Sequence, residues 1–196
     1  SSKLTKVGGN SVTLGTDNSA TFTGGIQLNS GSLVVSNSGG MGTGGTISFG
    51  GGTLAYGASG LTDFSPRFST SGNQQYSIDT NGTDVTLASP LASVGGSLNK
   101  YGAGKLTLSA ANSYSGVTNV NGGTLSITGS LNDSTAVTVG AGATYSVDAV
   151  DTVGSLAGSG NIVLNADLTT GADGTSTTFS GVISGTNSLI KAGTGT

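Results

Sequence analysis

The sequence predicts an all-β chain wound as a parallel β-solenoid. Three observations carry that expectation: a shortage of helix-forming residues, apolar residues that alternate with a period of two, and a long internal repeat. Of 196 residues, 37 are Gly, and the formal net charge is −3. Ser and Thr together outnumber Gly, Glu is absent, and all nine acidic residues are Asp. Glu, Lys, Gln and Arg, the strong helix formers, are scarce, and Gly interrupts every window of helical length.

The alternation runs through the whole chain. Val12/Leu14, Ile26/Leu28, Leu33/Val35, Ile47/Phe49, Leu54/Tyr56 and Tyr76/Ile78 read as short strands with one apolar face. Val85/Leu87, Leu106/Leu108, Leu125/Ile127, Val137/Val139, Tyr145/Val147 and Ile162/Leu164 continue the pattern. Between them lie Asn29-Ser30-Gly31, Gly50-Gly51-Gly52, Asn121-Gly122-Gly123, Gly140-Ala141-Gly142 and Gly158-Ser159-Gly160, which suit tight corners. Leu, Ile, Val and Phe are patterned rather than scattered and net charge is low, so the chain is folded and not a flexible linker.

Internal repetition separates a solenoid from a sandwich or barrel. Leu4-Thr5-Lys6-Val7-Gly8-Gly9-Asn10-Ser11-Val12-Thr13-Leu14 aligns with Leu98-Asn99-Lys100-Tyr101-Gly102-Ala103-Gly104-Lys105-Leu106-Thr107-Leu108. The alignment continues from Phe22-Thr23-Gly24 to Gly31-Ser32-Leu33 against Tyr114-Ser115-Gly116 to Gly123-Thr124-Leu125. A third copy opens at Leu189-Ile190-Lys191-Ala192-Gly193-Thr194-Gly195. The chain thus reads as one solenoid segment, 1–196, with a unit at 4–97, a second at 98–188 and the start of a third at 189–196. Coils of roughly 20–25 residues give eight or nine turns, a rod of about 40 Å.

The run from Leu98 to Ile127 resembles the autotransporter-associated β-strand repeat of bacterial passenger domains. The resemblance rests on the Leu-x-Lys opening, the Gly-x-Gly step at Gly102 and Gly104, the Leu106-Thr107-Leu108 strand, the aromatic-Ser-Gly turn at Tyr114–Gly116 and the Gly-Thr-Leu close at Gly123–Leu125. Phe179-Ser180-Gly181 leading to Leu189-Ile190-Lys191 is similar to the segment that precedes that motif. The first copy departs from the pattern, with Gly8-Gly9-Asn10-Ser11 in place of the clean Gly-x-Gly step. The resemblance implies a right-handed parallel β-helix, secreted or displayed outside a Gram-negative-type cell.

Composition excludes several functions. Without Cys there are no disulfides, thiolate nucleophiles or thiol-based zinc sites, and without His no Ser-His-Asp triad. Lys3, Lys6, Arg67, Lys100, Lys105 and Lys191 are too few for a nucleic-acid patch. No apolar run is long enough for a membrane-spanning helix. No cofactor and no metal is expected. The sequence does not open on a basic leader with an apolar segment, so no signal peptide is read in it; if the protein is secreted, its signal is expected upstream. No capping segment is evident at either end, which leaves two alternatives open: a piece of a longer rod, or end-to-end stacking of copies.

Four groups of residues are weighed as sites. Asp63, Phe64, Arg67 and Phe68, around Pro66, form the densest charged-aromatic cluster. They read as a protruding loop or, more plainly, as a long corner with a local ion pair and Phe packed on the coil. Asp148 and Asp151 have the spacing of paired carboxylates, with a turn between strands as the plainer reading. Lys6, Lys100 and Lys191 share one motif place, read as a solvated coil-edge lysine that discourages off-register pairing, or as a contact for a carbohydrate or surface acid. Tyr56, Tyr76, Tyr101, Tyr114 and Tyr145 could stack on sugar rings, although Tyr114 falls where Phe22 falls, which suggests packing. The expected function is a non-catalytic rod or fibre module, with glycan or surface adhesion, then polysaccharide cleavage, as the alternatives.

Overall fold

The computed structural model describes residues 2–196. Every strand pairing in it is parallel, and the chain forms a β-solenoid of about nine turns. The longest sheet has eight strands, running from Ser11–Leu14 at one end to Ser155–Gly158 at the other. A six-stranded sheet runs from Val85–Leu87 to Val182–Gly185. Two three-stranded sheets complete the wall, one opening with Leu4–Lys6 and the other closing with Leu189–Lys191.

Register is fixed by columns of inward side chains. Leu33 stacks on Leu54, Leu54 on Ile78, Ile78 on Lys100, and Lys100 on Val120 and then Val139. In the six-stranded sheet the column is Val85–Leu106–Leu125–Tyr145–Ile162–Ile183. A one-residue slip would turn every such column out to water, so the alternation in the sequence sets the pairing. Coil length varies from 17 residues, Tyr145 to Ile162, to 24, Leu54 to Ile78.

The longest coil contains the Leu61–Gln75 stretch. Its only helical element is a single 3-10 turn at Ser65–Arg67, with Pro66 inside it. Phe64 and Phe68 are buried, so this segment is folded onto the rod rather than protruding from it. Phe49 meets Phe68 edge-on at 4.9 Å and Tyr76 at 5.5 Å, a small aromatic core that fills the wider coil.

The structure also contains strands that the alternation does not reveal. Ser97–Tyr101, Thr118–Val120, Asp151–Val153, Leu168–Thr170 and Leu189–Lys191 each place one polar residue inward beside an apolar one. That polar inward position conceals the period of two.

Candidate functional site

The motif lysine is the centre of the repeat. Lys100 lies in the core column between Ile78 and Val120 and has no accessible surface; Lys6 is 5% exposed. This overturns the expectation of a solvated residue at the coil edge. Burial of an ammonium is tolerated only when its protons find acceptors. The Lys100 Nζ donates to the carbonyls of Tyr101 and Gly102, both at 2.8 Å, to Gly122 at 3.0 Å and to the Thr80 hydroxyl at 3.1 Å. Two acceptors come from its own turn, one from the preceding coil and one from the next. Burial pushes Lys100 down to about 8, against the pull of Asp79 and Asp84.

Lys6 repeats the arrangement. Its Nζ donates to the carbonyls of Val7 at 2.9 Å, Gly8 at 2.8 Å and Ser30, in the next coil, at 3.0 Å. Backbone bonds hold the two corners alike: Asn29 donates to the Lys6 carbonyl at 2.9 Å, and Asn121 to the Lys100 carbonyl at 2.8 Å. The lysine therefore ties a corner to the coil that stacks on it.

The glycines that follow are explained by the same corner. Gly123 has φ +59°, and a Cβ there would run into the Gly102 and Gly104 carbonyls. Gly31, at φ +67°, holds the equivalent place, where a Cβ would meet the Lys6 Nζ and the Asn10 carbonyl. Gly24, Gly104, Gly116, Gly193 and Gly195 likewise lie against main chain of a neighbouring coil. Leu33, Leu106, Leu108 and Leu125 fill the inner columns, and Leu14 and Phe22 are partly buried against them.

A second set of inward polar residues carries no simple sequence signal. Gln74 accepts the Phe49 N–H at 2.8 Å, Asn112 the Leu91 N–H at 2.9 Å, and Asp151 the Leu131 N–H at 3.1 Å. In each case a side chain from the following coil satisfies a main-chain donor of the coil before it. The signal available in sequence is weak: a lone Gln, Asn or Asp placed about one coil after an apolar residue.

The paired-carboxylate reading of Asp148 and Asp151 is not supported by their surroundings. Asp148 accepts from the Ser126 hydroxyl at 2.6 Å, the Ser146 hydroxyl at 3.0 Å and the Asn165 amide at 2.6 Å. Burial would raise its pKa, but these donors and Lys105 leave it below the usual carboxylate value. Asp151 is not in a turn: it begins the strand Asp151–Val153 and faces the core. Burial pushes it up to about 6, against the Leu131 and Thr152 amides and with a push from Asp133. The two carboxyls thus serve separate structural bonds. Among the described residues, no three acidic side chains converge on a cation site.

The ion pair expected in the aromatic loop is replaced by main-chain contacts. Arg67 donates to the carbonyls of Gly45 at 3.0 Å, Gly42 at 2.9 Å, Met41 at 3.2 Å and also Gly44. Asp63 accepts the Ser65 N–H at 2.8 Å and, from the next coil, the Ala88 N–H at 2.9 Å. The tyrosines form no exposed ladder: Tyr56, Tyr76, Tyr114 and Tyr145 are buried, and Tyr101 alone is 39% exposed. Burial raises the phenol of Tyr76 to about 12 and those of Tyr56, Tyr114 and Tyr145 further.

The two lysine corners coincide with what comparison with known proteins finds. The passenger-associated transport repeat family matches residues 4–35 and 98–127. These are autotransporter passenger repeats. Over 155 residues, 74% of this chain, the sequence is 33% identical to the adhesin BmaC autotransporter of Brucella suis biovar 1 (strain 1330). The aligned part spans 4% of that relative's length. No solved structure matches the chain. The passenger repeats place the segment outside the cell, secreted or at the outer-membrane surface.

Proposed function

We propose that this passenger segment is a non-catalytic structural rod, a stiff spacer within an extracellular surface protein. The observation that carries the reading is the use made of its buried polar side chains. Lys6, Lys100, Gln74, Asn112 and Asp151 all bond backbone in an adjacent coil. These five side chains are therefore engaged in stacking. Extension of the rod beyond these coils would come from covalent continuation of the solenoid or from end-to-end association. Electron microscopy of native material tests the proposal: rods of uniform width support it, and compact particles with closed ends would overturn it.

Adhesion is the second reading, favoured by the relative's description as an adhesin. On this chain it would have to use polar side chains of the outer face, such as Asn99 and Asn119, whose amides bond each other at 3.0 Å, beside the exposed Tyr101. A glycan array without hits would remove its glycan form. Polysaccharide cleavage loses its candidate pair, because both Asp148 and Asp151 are committed to internal bonds.

A further inference from the structure

At one place in the wall the seam between two coils is incomplete. Val85–Leu87 is the edge strand of the six-stranded sheet, paired on one side with Lys105–Leu108. On its other side lies the irregular segment from Gly57 to Asp63, in the longest coil, and no strand pairs there among the described residues. The seam closes again just past the strand, where Asp63 and Ser65 side-chain oxygens accept the Ala88 and Ser89 N–H groups, each at 2.9 Å. The open stretch leaves a cavity of about 50 Å³, whose lining includes Tyr56, Leu61, Thr62, Asp63, Asp84 and Thr86.

Two features of the lining call for an occupant. Tyr56 is 2% exposed, and its hydroxyl is buried without a hydrogen-bond partner. A buried hydroxyl left unpaired carries a full desolvation cost. Burial raises the Tyr56 phenol and the charge of Asp63 raises it further, so hydroxyl and carboxylate stand within each other's field. The second feature is charge: Asp63 and Asp84 both line the cavity, and no Lys or Arg does. Asp63 accepts the Ser65 N–H, the Ser65 hydroxyl and the Ala88 N–H, and Asp84 accepts the Lys105 N–H. A carboxylate offers about four acceptor sites, so both keep lone pairs for another partner.

We infer that this cavity is a calcium site, in which one Ca²⁺ bridges the Leu61–Asp63 segment to Asp84 and Thr86 of the following coil, with Tyr56 as its floor. Size excludes larger ligands, since the space suits an ion with a water beside it and not a sugar ring. The polar side chains of the lining offer only oxygen, from two carboxylates and the hydroxyls of Tyr56, Thr62 and Thr86, which is the chemistry of a hard cation. Calcium tolerates irregular oxygen shells completed by water, whereas magnesium demands a near-ideal octahedron. Two carboxylates imply a dissociation constant of about 0.1–1 mM, the range of extracellular modules. The ion would tie two coils where the strand ladder does not. Its ligands come from three segments far apart in sequence, so no motif marks the site. The inference stands independently of the rod reading.

The test uses the full chain, freed of metal by chelation, with Tb³⁺ as the probe for calcium. The chain has no Trp, so sensitised Tb³⁺ emission reports a tyrosine beside the ion. Saturable emission is expected, displaced by Ca²⁺ and not by the same concentration of Mg²⁺. Tyr56→Phe should remove most of it. Asp84→Asn, which keeps an acceptor for the Lys105 N–H, should weaken Tb³⁺ binding about tenfold, because one of two ligand charges is lost. Asp133→Asn, outside the cavity, should bind as the unchanged chain does. In the unchanged chain, saturating Ca²⁺ should slow hydrogen exchange at Val85–Leu87 and leave Thr144–Val147 as it was. The exchange measurement needs no variant, so it decides even where a substitution impairs folding. Absence of saturable emission, equal binding by the unchanged and Asp84→Asn chains, or exchange at Val85–Leu87 indifferent to Ca²⁺ would each overturn the inference and leave the cavity to water.

Discussion

Lys100 and Lys191 occupy the same place in the same motif, yet one is fully enclosed and the other stands open. Their turns are closely related, Tyr101-Gly102-Ala103-Gly104 against Ala192-Gly193-Thr194-Gly195, and both lysines bond their own turn carbonyls. What differs is the coil above. Over Lys100 lies Thr118–Val120, which brings the Gly122 carbonyl; over Lys191 no strand is paired. The corner is thus half-built by its own sequence and completed by its neighbour. That division is the chemistry of a stacking repeat, in which stability resides in interfaces between units rather than within them.

The largest effect expected from breaking this contrast comes from the apolar columns. Leu106→Ala, in the interior, should cost about 2–5 kcal/mol, because it leaves a cavity between Val85 and Leu125. Ile183→Ala, in the same column at its 41% exposed end, should cost no more than about 1 kcal/mol. Urea denaturation of the two variants measures the difference. Similar values for both would mean that the terminal coil is as well packed as the interior.

The lysines come next. Lys100→Met should cost about 2–4 kcal/mol, since it takes the ammonium donor from the half-buried carbonyls of Gly102 and Gly122. Lys191→Met should cost less than about 1 kcal/mol, because its partners remain open to water. Equal losses would show that the turn carbonyls alone, without the next coil, account for the bond's worth.

A smaller contrast concerns two glycines with positive φ. Gly123→Ala should cost about 2–3 kcal/mol, combining left-handed strain with a clash against the Gly102 and Gly104 carbonyls. Gly142→Ala, at φ +77° with nothing close to its new methyl, should cost only about 1 kcal/mol. Thermal unfolding of the pair separates strain from stacking.

The smallest effect is one of pH. Asp151 has a folded-state value raised to about 6 from 3.8, so the native chain binds more protons than the unfolded chain between those values. Its contribution to stability is present below about pH 4 and lost as pH rises through 6. Asp151→Asn should flatten that part of the stability profile while keeping an acceptor for the Leu131 N–H. Denaturation midpoints at pH 4, 5, 6 and 7 read the slope; an unchanged slope in the variant would assign it to another group.

Much of the fold was legible because apolar side chains alternate wherever both inward positions are aliphatic or aromatic. Ile26–Leu28, Val85–Leu87 and Ala136–Val139 are of this kind. The strand at Ser97–Tyr101 was hidden because Lys100, a charged residue, points inward, and Asp151–Val153 because its first inward residue is an acid. The motif lysine was visible as a repeated position, but its burial was not: a Leu-x-Lys sequence looks the same whether the ammonium faces water or a ring of carbonyls. That ring is backbone, and backbone oxygens leave no trace in residue type. The glycines Gly31 and Gly123 were legible as corners, whereas the reason for them, the turn of the neighbouring coil, appears only when coils are stacked.

Native-state hydrogen exchange on the whole chain tests the central claim most directly. If each corner is completed by the next coil, the amide of Asn121, bonded to the Lys100 carbonyl, should exchange among the slowest in the protein, and that of Lys191 among the fastest of any strand amide. Comparable exchange at the two corners would contradict the account, because it would mean that the turn is stable without the coil above it.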